Sequence, residues 1–170
     1  MGNVNEWLKF AEAKLAALVA ANGAAVFGAL QILTNSEKFN SVARLYLQSF
    51  LCCSSIAIVV GIVAILPKTS LPWVRSTKPI QSTDNLLFFG HIAKYNPEEY
   101  LDSLYAATGD SERQEWSRTA RNYAQQIIIN SHIASTKYAL FRWSAWFTLA
   151  AVLTPIIALP LLIWLVDRSD

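Results

Sequence analysis

The chain has 170 residues, of which 54% are hydrophobic and only 15% are charged, against about 25% charged in an ordinary soluble domain. This shortage of charge argues against a soluble globular domain and favours a membrane protein. The formal net charge of +2 is too small to indicate a nucleic-acid-binding surface that neutralises many phosphates.

Three uncharged stretches are long enough to cross a bilayer: residues 15–34, 45–66 and 145–166. Each holds about 20 residues, and a rise of about 1.5 Å per residue covers roughly 30 Å of hydrocarbon. Backbone groups in lipid must be paired within the segment, so helices are expected. The predicted fold is an all-α membrane protein with about three transmembrane helices and a small helical cytosolic segment between the second and third.

Three regions follow from this pattern: a two-helix membrane hairpin over residues 1–66, a cytosolic segment over 67–137, and a third transmembrane helix with a short tail over 138–170. Nine Lys and Arg residues lie between the second and third spans, whereas the turn at 35–44 holds only Lys38 and Arg44. The positive-inside rule therefore predicts that the N-terminus and segment 67–137 are cytoplasmic and that the C-terminus is outside.

The first span differs from the others in its content of Ala and Gly. Small residues let helices approach closely, so Asn22, Gly23 and Gly28 are predicted to lie in a helix-packing or oligomer interface. For Asn22 two alternatives stay open, a hydrogen bond between helices and the lining of a pore.

Helices are also predicted within the cytosolic segment. Asn96 followed by Pro97 and two glutamates is typical of a helix start, and Gly109 of a helix end. Residues 85–96, just before it, fit either a short strand or a buried turn of helix.

A longer helix is predicted to begin at Asp110 or Ser111, with Glu112 and Glu115 in its first turn, and to continue into the third span. Its predicted buried stripe consists of Trp116, Ala120, Tyr123, Ile127, Ser131 (or Ala134) and Tyr138.

No catalytic motif is evident, and the protein is predicted not to be an enzyme. The only histidines, His91 and His132, lie outside the spans, and no ligand set for zinc or another metal is present. No cofactor is expected.

Ligand binding has more support in the residues. Basic and amide side chains suit a phosphate and a base or ribose edge. The predicted ligand-binding residues are Lys14, Arg118, Arg121, Gln125, Asn130, Ser131, His132 and Lys137, with Phe88, Phe89, Tyr100, Tyr105 and Tyr123 as a possible stacking surface. The plain alternative is a solvated helix face, and Lys14 alternatively extends to the membrane surface.

Three segments carry a family resemblance: AEAKLAALVAANGA in the first span, NLLFFGHIAKYNPEEYLDSLY, and AQQIIINSHIASTKYALFRW entering the third. The chain resembles the Pycsar transmembrane effectors of bacterial antiphage defence. The most specific part is the signature from Gln126-Ile127 through Asn130-Ser131 and Ile133-Ala134 to Lys137-Tyr138. One departure is Glu12, where the family pattern more often has Asp.

The resemblance implies an effector of abortive infection in the bacterial inner membrane. A partner nucleotide cyclase makes a cyclic nucleotide, cUMP or cCMP, which the cytosolic segment binds, and a homo-oligomer then disrupts the lipid membrane. A periplasmic C-terminus follows from the orientation above. The alternatives are an effector of a related cyclic-oligonucleotide system and a membrane scaffold that senses nothing.

Overall fold

The structure, a computed structural model, describes residues 2–35, 41–67, 79–109 and 115–167. The structure is 83% helix, and the described ranges contain no strand. The prediction of an all-α fold is therefore confirmed. The helices are α1 (Gly2–Asn35), α2 (Ser41–Ile65), α3 (Phe89–Ile92), α4 (Pro97–Ala106) and α5 (Arg118–Asp167). Residues 68–78, which include Trp73, and the tail after Asp167 lie outside the described residues.

The chain divides into two compact units. The polar unit comprises residues 1–12 and 67–138, and the apolar unit comprises residues 13–66 and 139–170. The first 12 residues thus belong to the same unit as residues 67–138. Both α1 and α5 contribute residues to each unit.

The apolar unit is a three-helix bundle of α1, α2 and α5. Its buried positions recur every seven residues, the period of helices packed at a small crossing angle. They include Leu15, Asn22 and Ala29 on α1, Leu47, Ser54 and Gly61 on α2, and Ser144 and Ala151 on α5.

Small and polar side chains connect these helices. Asn22 donates from Nδ2 to Thr148 Oγ1 at 2.9 Å, and Ser144 Oγ donates to the Ala57 carbonyl at 2.7 Å. Asn22 therefore forms a hydrogen bond between α1 and α5, which is the first of the two roles considered for it. A Cβ added at Gly23 or Gly28 would meet no described atom within 4 Å, so contact within the chain does not explain these glycines and an oligomer interface stays a prediction.

The outer surface of the bundle carries large apolar side chains, including Phe27, Leu45, Val59 and Ile157, which are 60–64% exposed. A soluble protein buries such residues and rarely exposes large apolar patches. The helical stretches Val4–Asn35 and Ser41–Ile65 are long and apolar enough to cross a membrane, and only 17% and 22% of their most apolar windows are buried. This arrangement suits a bundle surrounded by lipid, and the third crossing stays a prediction.

A matched pair of glycine substitutions tests this packing. A Cβ at Gly61 would lie 2.5 Å from Val19 Cγ2, whereas a Cβ at Gly28 would meet open space. We expect Gly61→Ala to reduce stability by about 1–3 kcal/mol through overpacking. Gly28→Ala should be neutral or stabilising by about 1 kcal/mol or less, because alanine favours the helix. Thermal unfolding in detergent measures both, and equal melting temperatures would contradict the close approach of α1 and α2.

The polar unit has its own core where the start of α1 meets α3, α4 and α5. The core consists of Val4, Ile92, Tyr95, Tyr100, Ala124 and Ile128. Of the two alternatives for residues 85–96, the short helix α3 is observed. The predicted cap of α4 is confirmed, because Asn96 Oδ1 accepts the Glu99 N–H at 2.8 Å and Glu99 Oε2 accepts the Asn96 N–H at 3.1 Å.

The predicted start of the long helix is wrong. Residues 115–117 are not helical and α5 begins at Arg118, where Ser117 Oγ accepts the Ala120 N–H at 3.1 Å. The reason lies in Trp116, whose indole donates to Asp102 Oδ1 at 2.8 Å and packs edge-on against Tyr105. These contacts hold the chain outside the helix. The proposed caps at 110 and 111 lie outside the described residues.

The predicted buried stripe of α5 is displaced by one residue in its first half. Ala124 and Ile128 are buried in place of Tyr123, which is 55% exposed, and Ile127, whereas Ser131 and Ala134 are buried as predicted. The apolar spacing predicts that one face of α5 is buried. Because residues 127–129 are all isoleucine, however, the sequence does not show which of the three lies at the centre of that face.

Candidate ligand-sensing site

The predicted ligand-binding residues of α5 lie on different faces of the helix. Arg118, Arg121, Gln125 and His132 share one face, since they are separated by three, four and seven residues. Ser131 is fully buried, and its Oγ donates to the Ile127 carbonyl at 2.8 Å. Ser131 is therefore part of the packed interior.

The residues of this shared face make few strong contacts within the described part of the chain. Arg118 and Gln125 are exposed. Arg121 lies 3.8 Å from Glu98 Oε1, and both side chains are about half exposed, so this ion pair contributes little, at most about 1 kcal/mol. Burial lowers the pKa of His132, which keeps its imidazole neutral near pH 7. The face therefore offers its two arginines, rather than its histidine, to an anion.

A second group of polar residues joins α1 to α5 inside the polar unit. Asn130 Nδ2 donates to Asn5 Oδ1 at 3.1 Å, and the Lys137 ammonium forms an ion pair with the Glu12 carboxylate. Both pairs span 125 residues of sequence. The two helices therefore run parallel here, with the polar pairs one heptad apart.

The two members of the ion pair differ in exposure. The Lys137 side chain is 5% exposed and that of Glu12 is 48% exposed. Lys137 occupies the buried side of α5, whereas the carboxylate reaches it from the surface. Lys137 was predicted as a ligand residue, but its partner Glu12 was not, because a pairing across 125 residues leaves no local signal.

The polar unit also contains a cluster of aromatic rings. Tyr138 stacks on Phe89 with ring centroids 5.1 Å apart, and Trp7 lies 5.9 Å from Phe89 and 6.4 Å from Tyr138. Phe88 contacts Phe89 at 4.6 Å. Trp7 is 36% exposed, so the cluster has an accessible ring at the surface of the polar unit.

The other predicted stacking residues serve different purposes. Tyr100 is buried in the core with its hydroxyl donating to the Leu86 carbonyl at 3.0 Å, and Tyr105 packs against Trp116. Tyr123 is exposed. Of the predicted stacking residues, Phe88 and Phe89 therefore belong to the aromatic cluster with Trp7 and Tyr138.

Asp84 is the centre of a hydrogen-bonded cluster that the sequence did not indicate. Its carboxylate accepts bonds from Lys94 Nζ at 2.6 Å, the Gln81 N–H at 3.0 Å and the Tyr95 hydroxyl at 3.3 Å. The Lys94 bond, followed by the Gln81 bond, holds the pKa of Asp84 below its usual value. This cluster fixes the loop that precedes α3.

Lys14 belongs to the apolar unit, whereas the other predicted ligand residues belong to the polar unit. Its ammonium is 5.9 Å from the centroid of the Phe141 ring, a distance suited to a cation–π contact. Within the described ranges no group of three or more His, Cys, Asp or Glu side chains is placed to hold a metal ion.

Comparison with known families gives one match. The family model described as the Pycsar effector protein domain matches residues 1–164. Neither a curated protein nor a solved structure matches the chain.

Proposed function

Because the chain belongs to the Pycsar effector family, we propose that it is an inner-membrane effector of antiphage defence that a cyclic nucleotide activates to disrupt the membrane. Family membership carries the effector role and its setting in cyclic-nucleotide signalling. The ligand, the membrane lesion and the absence of enzymatic activity are parts of the proposal.

The apolar unit supplies the membrane anchor in this proposal. Its three helices bury small and polar residues and turn large apolar ones outward. Trp143 and Trp164 are exposed and 21 residues apart, which is about 31 Å along a helix and close to the thickness of the hydrocarbon core. This spacing supports a third crossing by residues 145–166, with the C-terminus in the periplasm.

The polar unit supplies the receptor for the messenger. A cyclic mononucleotide such as cUMP or cCMP presents one anionic phosphate, a ribose and a pyrimidine. Lys and Arg side chains suit the phosphate, and amides and aromatic rings suit the base. All three kinds of group occur in this unit, and the functional partner is then the cyclase that makes the messenger.

Activation requires that the messenger bind the active state more tightly than the resting one. Since α1 and α5 each belong to both units, a change in their packing within the polar unit has a covalent path into the bundle. Self-association of several copies would enlarge a small shift into a lesion.

Two measurements test the proposal. Isothermal titration of the purified, folded protein in detergent should show binding of cUMP or cCMP and no binding of cyclic oligoadenylates. In cells that express the protein, a membrane-potential dye should report depolarisation only when the messenger is produced.

The outcomes separate the alternatives. Binding of a cyclic oligonucleotide alone would assign the chain to a related defence system. A folded protein that binds none of these nucleotides and co-purifies with a fixed partner would be a scaffold, and the sensor function would be wrong.

A further inference from the structure

Lys137 is a cation that requires an anionic partner. Its side chain is 5% exposed and its ammonium is paired with Glu12. A buried charge that loses its partner is strongly destabilising, because water does not replace the lost interaction. Any state of the protein in which Glu12 leaves must therefore bring another anion to Lys137.

Glu12 is the exchangeable member of the pair. Its side chain is 48% exposed, so the carboxylate can turn into water at little cost. Lys137 is held in place by its position on the buried side of α5, which it shares with Ser131 and Ala134. The pair is thus a fixed cation with a displaceable surface anion.

We infer that Lys137 binds the phosphate of the cyclic nucleotide and that Glu12 occupies this place in the resting protein. The inference rests on the proposed function and assigns its phosphate site. A cyclic mononucleotide carries a single negative charge on its phosphodiester, as Glu12 does on its carboxylate. The exchange therefore leaves Lys137 neutralised in both states.

Other groups of the polar unit suit the remainder of such a ligand. Trp7 and Tyr138, the latter next to Lys137 in sequence, have ring centroids 6.4 Å apart and offer aromatic surface for a pyrimidine. The Asn5–Asn130 amides lie one heptad away on the same faces of α1 and α5, about 10 Å along the helices. Amides of this kind donate to and accept from the edge of a base.

The exchange also explains how binding changes the protein. Glu12–Lys137 is one of three described polar contacts between α1 and α5 in the polar unit, with Asn130–Asn5 and the Tyr138 hydroxyl, which donates to the Trp7 carbonyl at 3.4 Å. When the phosphate replaces Glu12, the ion pair between these helices is lost. Glu12 therefore stabilises the resting state and also competes with the ligand for Lys137.

Titration of cUMP and cCMP into the full-length protein and its variants tests the inference. Glu12→Gln removes the competing anion and leaves Lys137 unpaired without ligand, so it should lower the melting temperature of the ligand-free protein and tighten the affinity of the folded protein by roughly tenfold or more. Lys137→Met, combined with Glu12→Gln so that neither charge is left unpaired, should weaken it by roughly a hundredfold. Glu6→Gln, an exposed residue on the same helix, is the control and should bind like the wild type.

The outcomes are distinct from those for the function itself. If the wild type binds a cyclic nucleotide and Glu12→Gln leaves the affinity unchanged or weakens it, the ion pair is only structural and the inference is wrong. Unimpaired binding by the folded double variant would also overturn it. If the wild type binds no nucleotide, the proposed function fails and the inference fails with it.

Discussion

Replacement of Val59 by arginine is expected to abolish messenger-dependent growth arrest and to remove most of the protein from the membrane fraction. Val59 is 60% exposed on α2 and lies near the middle of an uncharged stretch. If this surface faces lipid, arginine at the helix centre costs about 2.5–3.5 kcal/mol of insertion free energy. If it faced water, an exposed substitution would change stability by only about 0.5 kcal/mol or less.

The control for this prediction is an arginine at the end of the same helix. Leu66 is 55% exposed and follows the last helical residue, Ile65. An arginine there can extend to the membrane surface, and in the predicted topology it adds to the basic residues of the cytoplasmic side. Leu66→Arg should therefore behave like the wild type in both assays. Equal behaviour of the two variants would show that α2 does not cross the membrane.

Hydropathy predicted the helices of the apolar unit because the signal is local and long. The extension of α1 to Gly2 was not predicted, because the charges at Glu6, Lys9 and Glu12 lower the hydropathy of that segment. Its buried side is nevertheless encoded by Val4, Ala11 and Leu15, at the spacing of one helix face. Attention to this spacing rather than to charge would have predicted the longer helix.

Neither the start of α5 nor the pairing of its polar residues could be predicted from the neighbouring sequence, because both depend on tertiary contacts. Trp116 is held outside the helix by Asp102 and Tyr105, which are tertiary contacts that override a good helix-capping pattern. Lys137 and Glu12 are 125 residues apart, so their pairing depends on the parallel packing of α1 and α5. The family resemblance supplied the function, but it did not indicate which basic residue is buried.

Asp84→Asn should cause the largest loss of thermal stability among single substitutions in the loop before α3. The Asp84 carboxylate accepts from Lys94, Gln81 and Tyr95, and the Lys94 side chain is only 8% exposed. Removing the charge leaves this ammonium with a weaker partner in a buried position. We expect the melting temperature to fall by roughly 10 °C and messenger binding to fall with it.

Two controls identify the cause. Asp102→Asn removes an exposed carboxylate that accepts from the Trp116 indole, and it should lower the melting temperature only slightly. Asp84→Asn combined with Lys94→Met removes both charges and should recover part of the loss, since no unpaired cation remains. No recovery in the double variant would show that the ion pair is not what stabilises this loop.

The same carboxylate predicts a dependence of stability on pH. The Lys94 hydrogen bond holds the pKa of folded Asp84 below the ordinary value of 3.8. Because the unfolded chain binds this proton more readily, the stabilisation is complete above that ordinary value and is lost as the pH falls from there through the folded pKa. The wild type should therefore lose stability more steeply than Asp84→Asn when unfolding is followed from about pH 5 to about pH 3. Parallel curves for the two proteins would mean that Asp84 has the same pKa folded and unfolded, and that the Lys94 bond contributes nothing to the stability of the polar unit.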